Sequence, residues 1–247
     1  MQSGNAATSG ARMVPVGAVW EIDELEHAGG EHLVADFVAG FDDKQGHPDA
    51  DEDLGVLGSF GLGANSTVVD FGAGTGQFAL PAARRFATVV AVDVSPAMHA
   101  ALQARARQQG LDNLHPVLAG FLSYEHAGPP ADGAYTRHAL HQLPDFWKAV
   151  ALHRIAAIVR PGGVLRLRDL VYDFTPGEAG DVFARWLDGA STDSAHGYTR
   201  EDYVEHIRTE HSTFRWLLEP MLDVAGFDIV DAEFPGPTYG AYTCVRR

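Results

Sequence analysis

The chain has 247 residues, with 18 Lys and Arg against 33 Asp and Glu, a formal net charge of -15 and one cysteine. Binding to nucleic acid rests on basic side chains neutralising phosphates, so this balance, with no basic run, argues against a nucleic-acid partner. The lone Cys244 excludes an internal disulfide framework and fits a reducing cytoplasm, the expected location, and no apolar run is long enough to span a bilayer.

Residues 1–12 are polar and rich in Gly and Ala, lack the apolar core of a signal peptide, and read as a flexible tail. From Glu31 to Phe41, Leu33, Val34, Phe37, Val38 and Phe41 recur at helical spacing and predict an amphipathic helix. The acidic, Pro-containing stretch Asp42 to Asp53 reads as a loop, followed by a short helix around Leu54 to Phe60. Residues 13–65 are thus expected to form an N-terminal helical cap on a main domain spanning 66–247.

That domain opens on Thr67-Val68-Val69-Asp70-Phe71, an apolar, β-branched run of the kind that forms a buried parallel strand. It stops at Gly72-Ala73-Gly74-Thr75-Gly76, a helix is predicted over roughly Gln77 to Phe86, and Val89 to Val92 gives a second strand ending at Asp93. Glycines let a ligand approach the backbone closely, and an acid ending the second strand is placed to accept hydrogen bonds from ribose hydroxyls. An adenosine-containing ligand follows, although Asp93 taken alone suits a helix N-cap equally well. A dinucleotide fingerprint requires a third glycine at position 77, which is Gln77, and no Gly-Lys-Ser/Thr follows to make a phosphate loop.

The pattern Asp70-x-Gly72-x-Gly74-x-Gly76 resembles motif I of the class I S-adenosylmethionine-dependent methyltransferases, and Asp93-Val94-Ser95-Pro96-Ala97-Met98 resembles their motif II. Further landmarks follow in order. A helix with Met98, Leu102 and Ala106 on one side runs to Gln109, and a brief third strand, Val117 to Ala119, leads to Gly120-Phe121. In the family the residues after this strand meet the adenine, often through an acid; here backbone and an aromatic face would do so. The fourth strand, Gly133 to Ala139, ends in Arg137-His138-Ala139-Leu140-His141, which resembles motif IV. A helix from Phe146 to Ile158, the break Arg160-Pro161-Gly162-Gly163 and a fifth strand, Val164 to Leu170, complete the likeness over about 67–170.

Residues 171–212 are rich in aromatics, including Tyr172, Trp186, Tyr198 and Tyr203, and predict two helices, about Gly177 to Leu187 and Arg200 to Arg208. This insertion reads as a lid that lends an acceptor pocket its walls. A helix from Ser212-Thr213 to Gly226 and two strands, Phe227 to Val230 and Tyr239 to Val245, end the chain as a hairpin. The implied fold is α/β: a Rossmann-like doubly wound sheet in the order 3-2-1-4-5-7-6 with strand 7 antiparallel.

The resemblance implies S-adenosyl-L-methionine as cofactor, held by Asp70, Gly72, Ala73, Gly74, Gly76, Asp93, Val94, Met98, Gly120, Phe121, Arg137 and His138. Methyl transfer needs alignment more than a strong acid, and His138 and His141 are the candidates for a catalytic base. No metal is expected, because His138 and His141 lack a third ligand in the sequence. The expected acceptor is a small molecule, with no nucleic acid or membrane partner and a monomer or homodimer as the working form. A nicotinamide-dependent oxidoreductase or epimerase and a catalytically silent cofactor-binding protein are the alternatives.

Overall fold

The computed structural model describes residues 17 and 19–247 of the chain; the expected tail at 1–12 lies outside them. Thr67–Phe71 (β1) and Thr88–Asp93 (β2) pair in parallel, as the two-sided burial of their valines requires. Leu114–Leu118 (β3) pairs beyond β2, Ala131–Arg137 (β4) lies on the other side of β1, and Val159–Asp169 (β5) follows β4. Val171–Tyr172 (β6) and Thr213–Phe214 (β7) form a separate parallel pair. Phe227–Gly236 (β8) and Tyr239–Arg246 (β9) return to the main sheet, where β9 runs antiparallel to both β5 and β8.

The main sheet has the order β3-β2-β1-β4-β5-β9-β8. Numbered within that sheet alone, this is the expected 3-2-1-4-5-7-6 with its last strand antiparallel. Alternate residues of β1 feed two apolar layers: Val68 packs with Leu54, Leu57, Phe78 and Leu102, whereas Val69 and Phe71 pack with Leu152, Ile155, Leu218 and Leu222. The first layer involves helices Asp51–Ser59 (see below) and Pro96–Gln108, and the second Asp145–Ile158 and Arg215–Ala225.

Several boundaries differ from expectation for local reasons. The first helix is Ala35–Gln45 (α1), so Asp42 lies inside it; it ends only at Gly46, whose φ of +73° makes a left-handed stop. Asp51–Ser59 (α2) starts earlier than Leu54, with Asp51, Glu52 and Asp53 favourably placed against the positive end of the helix dipole. The helix predicted over Gln77 to Phe86 shrinks to Ala79–Ala82 (α3). The amides of Ala82 and Ala83 still bond four residues back, to Phe78 and Ala79, but those of Arg84 and Arg85 turn to carbonyls three residues earlier, which ends the α-helix.

Pro96–Gln108 (α4) and Asp145–Ile158 (α5) agree with expectation, but β3 starts at Leu114 and β5 absorbs the Arg160 to Gly163 break by a register shift against β4. Ala179–Asp188 (α6) and Arg200–Thr209 (α7) are the two helices of the insertion, the second opened by a Thr199–Asp202 capping box. Thr213 does not begin a helix. It is a strand residue in β7, and Arg215–Ala225 (α8) follows, so the β6–β7 pair clips together the two ends of the insertion.

Charge fastens α2 to the sheet. Asp53 is fully buried and accepts hydrogen bonds from Arg166 Nε (2.9 Å), the Tyr135 hydroxyl (2.9 Å) and Arg168 Nη1 (3.2 Å). Arg166 is equally buried and also reaches Thr243 Oγ1 at 3.0 Å. Removing one member of such a pair strands the other charge in the interior, so Asp53→Ala should destabilise the chain by about 3–5 kcal/mol. Chemical denaturation of the two proteins measures it, and a loss below about 1 kcal/mol would mean that solvent reaches Arg166.

Candidate active site

The glycine turn lies at the carboxyl end of β1, beside the point where the strand order reverses between β1 and β4. The amides of Gly72 and Ala73 both donate to the Val92 carbonyl, at 2.9 and 3.0 Å, which ties the turn to β2. Its glycines serve different ends. A Cβ on Gly72 would lie 2.3 Å from Ala139 Cβ, and one on Gly76 would lie 2.4 Å from Leu102 Cδ1, so these positions permit packing. A Cβ on Gly74 would meet only the Phe41 ring, at 3.7 Å, and would project into a cavity of about 860 Å³.

That cavity is lined by every cofactor residue expected from the sequence except Gly76, which faces Leu80 and Leu102 instead. Asp93 stands at its edge, with Oδ2 accepting from Gly74 N (2.7 Å) and Oδ1 from Ser95 N (2.8 Å). The N-cap of α4 is Ser95, not Asp93. Burial raises the Asp93 carboxyl above its ordinary pKa despite these two amides. Asp70 is more extreme: it is buried, its Oδ2 has no hydrogen-bond partner among the described residues, and desolvation with the nearby Asp93 charge pushes its pKa well up.

The acid that the resemblance places after β3 is absent from Gly120-Phe121, yet an acid stands there in space. Glu24, in the turn Glu24–His27, packs its carboxylate onto Gly120, where a Cβ would lie 2.4 Å away. Its Oε2 accepts from the amides of Leu122 (3.0 Å) and Ser123 (3.1 Å), while burial raises its pKa. Phe121 borders the cavity, but its ring stacks on Phe71 at 5.5 Å and belongs to the core.

Asp42 holds α1 over the glycine turn. Its carboxylate accepts from Thr75 Oγ1 (2.5 Å) and Gln77 Nε2 (3.0 Å) and pairs with Arg105 (2.5 Å). Burial opposes the charge, but these donors outweigh it and keep Asp42 below its ordinary pKa. The next residues of α1 reach the insertion: Lys44 pairs with Asp202 at 3.1 Å, and Gln45 donates to the Tyr198 hydroxyl at 2.5 Å. The cap and the insertion therefore meet across the cavity mouth.

His138 and His141 lie at the far wall. His138 follows β4 with φ +49°, a left-handed conformation that turns the chain out of the strand. Burial, with Arg137 beside it, pushes its pKa down to about 3, so it is neutral. His141 is opposite in character. Burial alone would lower its pKa, but Asp169 at 2.5 Å from Nδ1 and Glu210 at 2.9 Å from Nε2 raise it to about 9. The part available to each differs from a free base: His141 holds its proton at neutral pH, and His138 offers a weakly basic lone pair.

The sequence reading of the histidines also missed their neighbours. His138 and His141 lacked a third ligand there, whereas the fold brings His206 and Glu210 of α7 and its end to His141. Glu24, Asp42, Asp169 and Glu210 have no sequence motif of their own. An acid 28 residues from its partner, as Asp169 is from His141, or 99, as Glu24 is from Ser123, shows no periodicity to find.

The orphaned Asp70 carboxyl makes a pH test. In the unfolded chain it ionises at the ordinary carboxylate pKa, whereas the raised pKa in the fold means that stability is greatest below that range and falls as pH rises through it. Asp70→Asn should therefore raise the melting temperature at pH 7, and the gain should vanish by about pH 4. Thermal melts at both pH values check this; a variant less stable than the parent at pH 7 would refute it.

Comparison with known proteins agrees with this geometry. Residues 68–163 match a family model described as a methyltransferase domain. An uncharacterized protein of Mycobacterium tuberculosis is 28% identical over 195 residues, covering 76% of this chain and 70% of that protein. Methyltransferase str3 of Strobilurus tenacellus is 30% identical over 172 residues, covering 68% of this chain but 51% of its own length. Geranyl diphosphate C-methyltransferase from Streptomyces coelicolor A3(2), solved with S-adenosyl-L-homocysteine, superposes with a TM-score of 0.61 at 12% identity, covering 80% of this chain and 79% of that one. The glycine turn, the acid ending β2, the sheet order and the matched domain lead to one conclusion: residues 68–163 are a methyltransferase domain, the chain has the fold of the class I S-adenosylmethionine-dependent methyltransferases, and its cofactor is S-adenosylmethionine.

Proposed function

We propose that this methyltransferase acts on a compact, partly apolar small molecule by in-line displacement. The observation that carries the reading is the single cavity shared by the glycine turn and a wall of aromatic and histidine side chains. Its volume of about 860 Å³ is near the upper end for small-molecule sites, roughly 300–1,000 Å³. Its mouth is bridged by Lys44–Asp202 and Gln45–Tyr198 rather than open along a basic surface. That arrangement suits an enclosed metabolite better than a polymer, and the residues 171–212 serve as its lid.

The residues fit the cofactor in three places. Gly74 leaves open the space that a side chain would fill, Asp93 presents a carboxylate beside it, and the Asp70 Oδ2 lacks a partner among the described residues. The bound cofactor supplies a methyl group already activated as a sulfonium, so no strong acid is required of the protein. What the chain contributes is position and exclusion of water. Arg137 and His138 border the cavity where β4 ends, and neutral His138 is suited to accept a hydrogen bond from an acceptor hydroxyl or amine. His141 has both ring nitrogens engaged, by Asp169 and Glu210, and is suited to orient the acceptor wall.

Geranyl diphosphate accompanies one fold relative, and this supports, by analogy, a small apolar-bodied acceptor. A nicotinamide dinucleotide is disfavoured because Gln77 stands where its fingerprint needs glycine, with the side chain spent on Asp42. Turnover separates an enzyme from a silent cofactor-binding protein.

Two outcomes are expected. Gly74→Val, with a β-branched side chain at φ +54° in the cavity, should abolish S-adenosylhomocysteine binding while leaving the circular dichroism spectrum unchanged. Asp93→Ala should weaken the same binding by on the order of 3 kcal/mol, measured by calorimetry. Full affinity in either variant would move the cofactor away from this turn. When labelled S-adenosylmethionine is offered with a metabolite extract, or with purified RNA or DNA, label should enter an extract component alone. Label in nucleic acid would overturn the small-molecule reading.

A further inference from the structure

We propose that His141, His206 and Glu210 form a binding site for a first-row divalent transition cation at the acceptor side of the cavity. The three side chains come from two parts of the chain: His141 from the turn Leu140–Gln142 after β4, and His206 and Glu210 from α7 and the residue that caps it. His206 and Glu210 are four residues apart and so share one face of the helix, the face turned toward His141. One ligand atom from each lies within 4.8 Å of the others. Nitrogen and carboxylate ligands about 2.0–2.2 Å from a cation stand roughly 3–4 Å apart, so small side-chain shifts bring all three to one ion.

The surroundings orient both rings. His141 Nδ1 is held by Asp169 at 2.5 Å, and Asp169 is itself fixed by the amides of His141 (3.1 Å) and Leu170 (2.7 Å). This leaves Nε2 facing Glu210 at 2.9 Å. In His206 the arrangement is reversed: Nε2 contacts Ser212 Oγ at 2.9 Å, and Nδ1 faces the same Glu210 oxygen. Each imidazole thus has its outer nitrogen engaged and its inner nitrogen aimed at one carboxylate, the pattern by which a polar partner sets the orientation of a ligating histidine. An ion pair needs only one such nitrogen on Glu210; two converging on a single oxygen form a pocket for a shared cation.

The donor set selects the class of ion. Magnesium and calcium favour oxygen ligands alone, while two imidazoles with one carboxylate suit zinc, iron(II) or cobalt(II) and leave coordination positions open. His141, His206 and Glu210 all line the cavity that contains Gly74, so the open positions face the volume beside the cofactor. If the methyltransferase reading above holds, an oxygen anion of the acceptor, such as a phenolate, enolate or carboxylate, is the ligand chemistry that would complete the ion's shell. The site was illegible in the sequence because His141 and His206 lie 65 residues apart and follow no metal-ligand spacing.

The probe is cobalt(II), whose visible absorption reports nitrogen and oxygen coordination, titrated into the full chain without an affinity tag, with zinc(II) as competitor. One ion per chain should bind and be displaced by zinc. His206→Ala should abolish the absorption, and Asp169→Asn, which leaves all three ligands in place, should weaken binding by about 10–100-fold. Circular dichroism verifies the fold of each variant, and S-adenosylhomocysteine is titrated separately. Cofactor binding retained in His206→Ala while cobalt is lost supports the site independently of the cofactor assignment. No cobalt binding by the parent chain, or parent-like binding in the double variant His206→Ala, Glu210→Ala, would overturn it, the latter by placing the ion on other histidines.

Discussion

The chain leaving β1 and the chain leaving β4 can touch only because residue 72 has no side chain. A Cβ there would lie 2.3 Å from Ala139 Cβ, and Gly72 moreover has φ +70°. This contact brings two functions into one volume. The glycine turn continues to Gly74, open to the cavity, while Ala139 sits between His138 and His141 on the opposite wall. A larger residue at 72 would push the β4 terminus away and separate the cofactor loop from the histidines. The parallel pairing of β1 with β4 supplies the rigid frame against which that close approach is held.

Around this contact, a strongly acidic chain uses several of its carboxylates as internal fasteners. Asp53 ties α2 to β4 and β5 through Arg166 and Tyr135, and Asp42 ties α1 to the glycine turn through Thr75, Gln77 and Arg105. Glu24 fixes the N-terminal turn to the backbone after β3. In each case the acid lies ahead of β1 and its partners lie in or after it. At Asp42 the hydrogen bonds outweigh the burial penalty, whereas at Glu24 burial prevails, and losing either partner of such a link leaves a buried polar group unpaired. Residues ahead of β1, among them Glu24, Phe37, Phe41 and Lys44, accordingly form part of the cavity wall.

The same balance separates the two histidines at the far wall. His138 has cationic Arg137 nearby and is driven to the neutral form, whereas His141 lies between Asp169 and Glu210 and is driven to the charged one. Three residues apart in sequence, they face opposite electrostatic surroundings, because β4 ends at Arg137 and the positive φ of His138 redirects the chain. An alternating polar and apolar pattern carries no information about such a division of roles.

Short-range order was legible in the amino-acid sequence. The β-α-β unit, the glycine turn, the acid ending β2, Ser95 before Pro96, and the helices of the insertion follow from hydrophobic period, turn chemistry and caps, each confined to a few neighbouring residues. These local features pointed to an adenosine-containing ligand, and the family resemblance they carry implied the sheet order and S-adenosylmethionine. Even there, one predicted helix shrank to a single turn where Arg84 and Arg85 bond three residues back, and Gly46 set the end of another, since termination depends on which carbonyl each amide reaches and on left-handed stops. Tertiary structure alone decided which distant side chains meet: Asp42 with Thr75, Glu24 with Gly120, and His141 with His206 and Glu210. The physical reason is that a hydrogen bond or an ion pair depends on separation in space, which the sheet and the β6–β7 clip impose, and leaves no periodic trace along the chain.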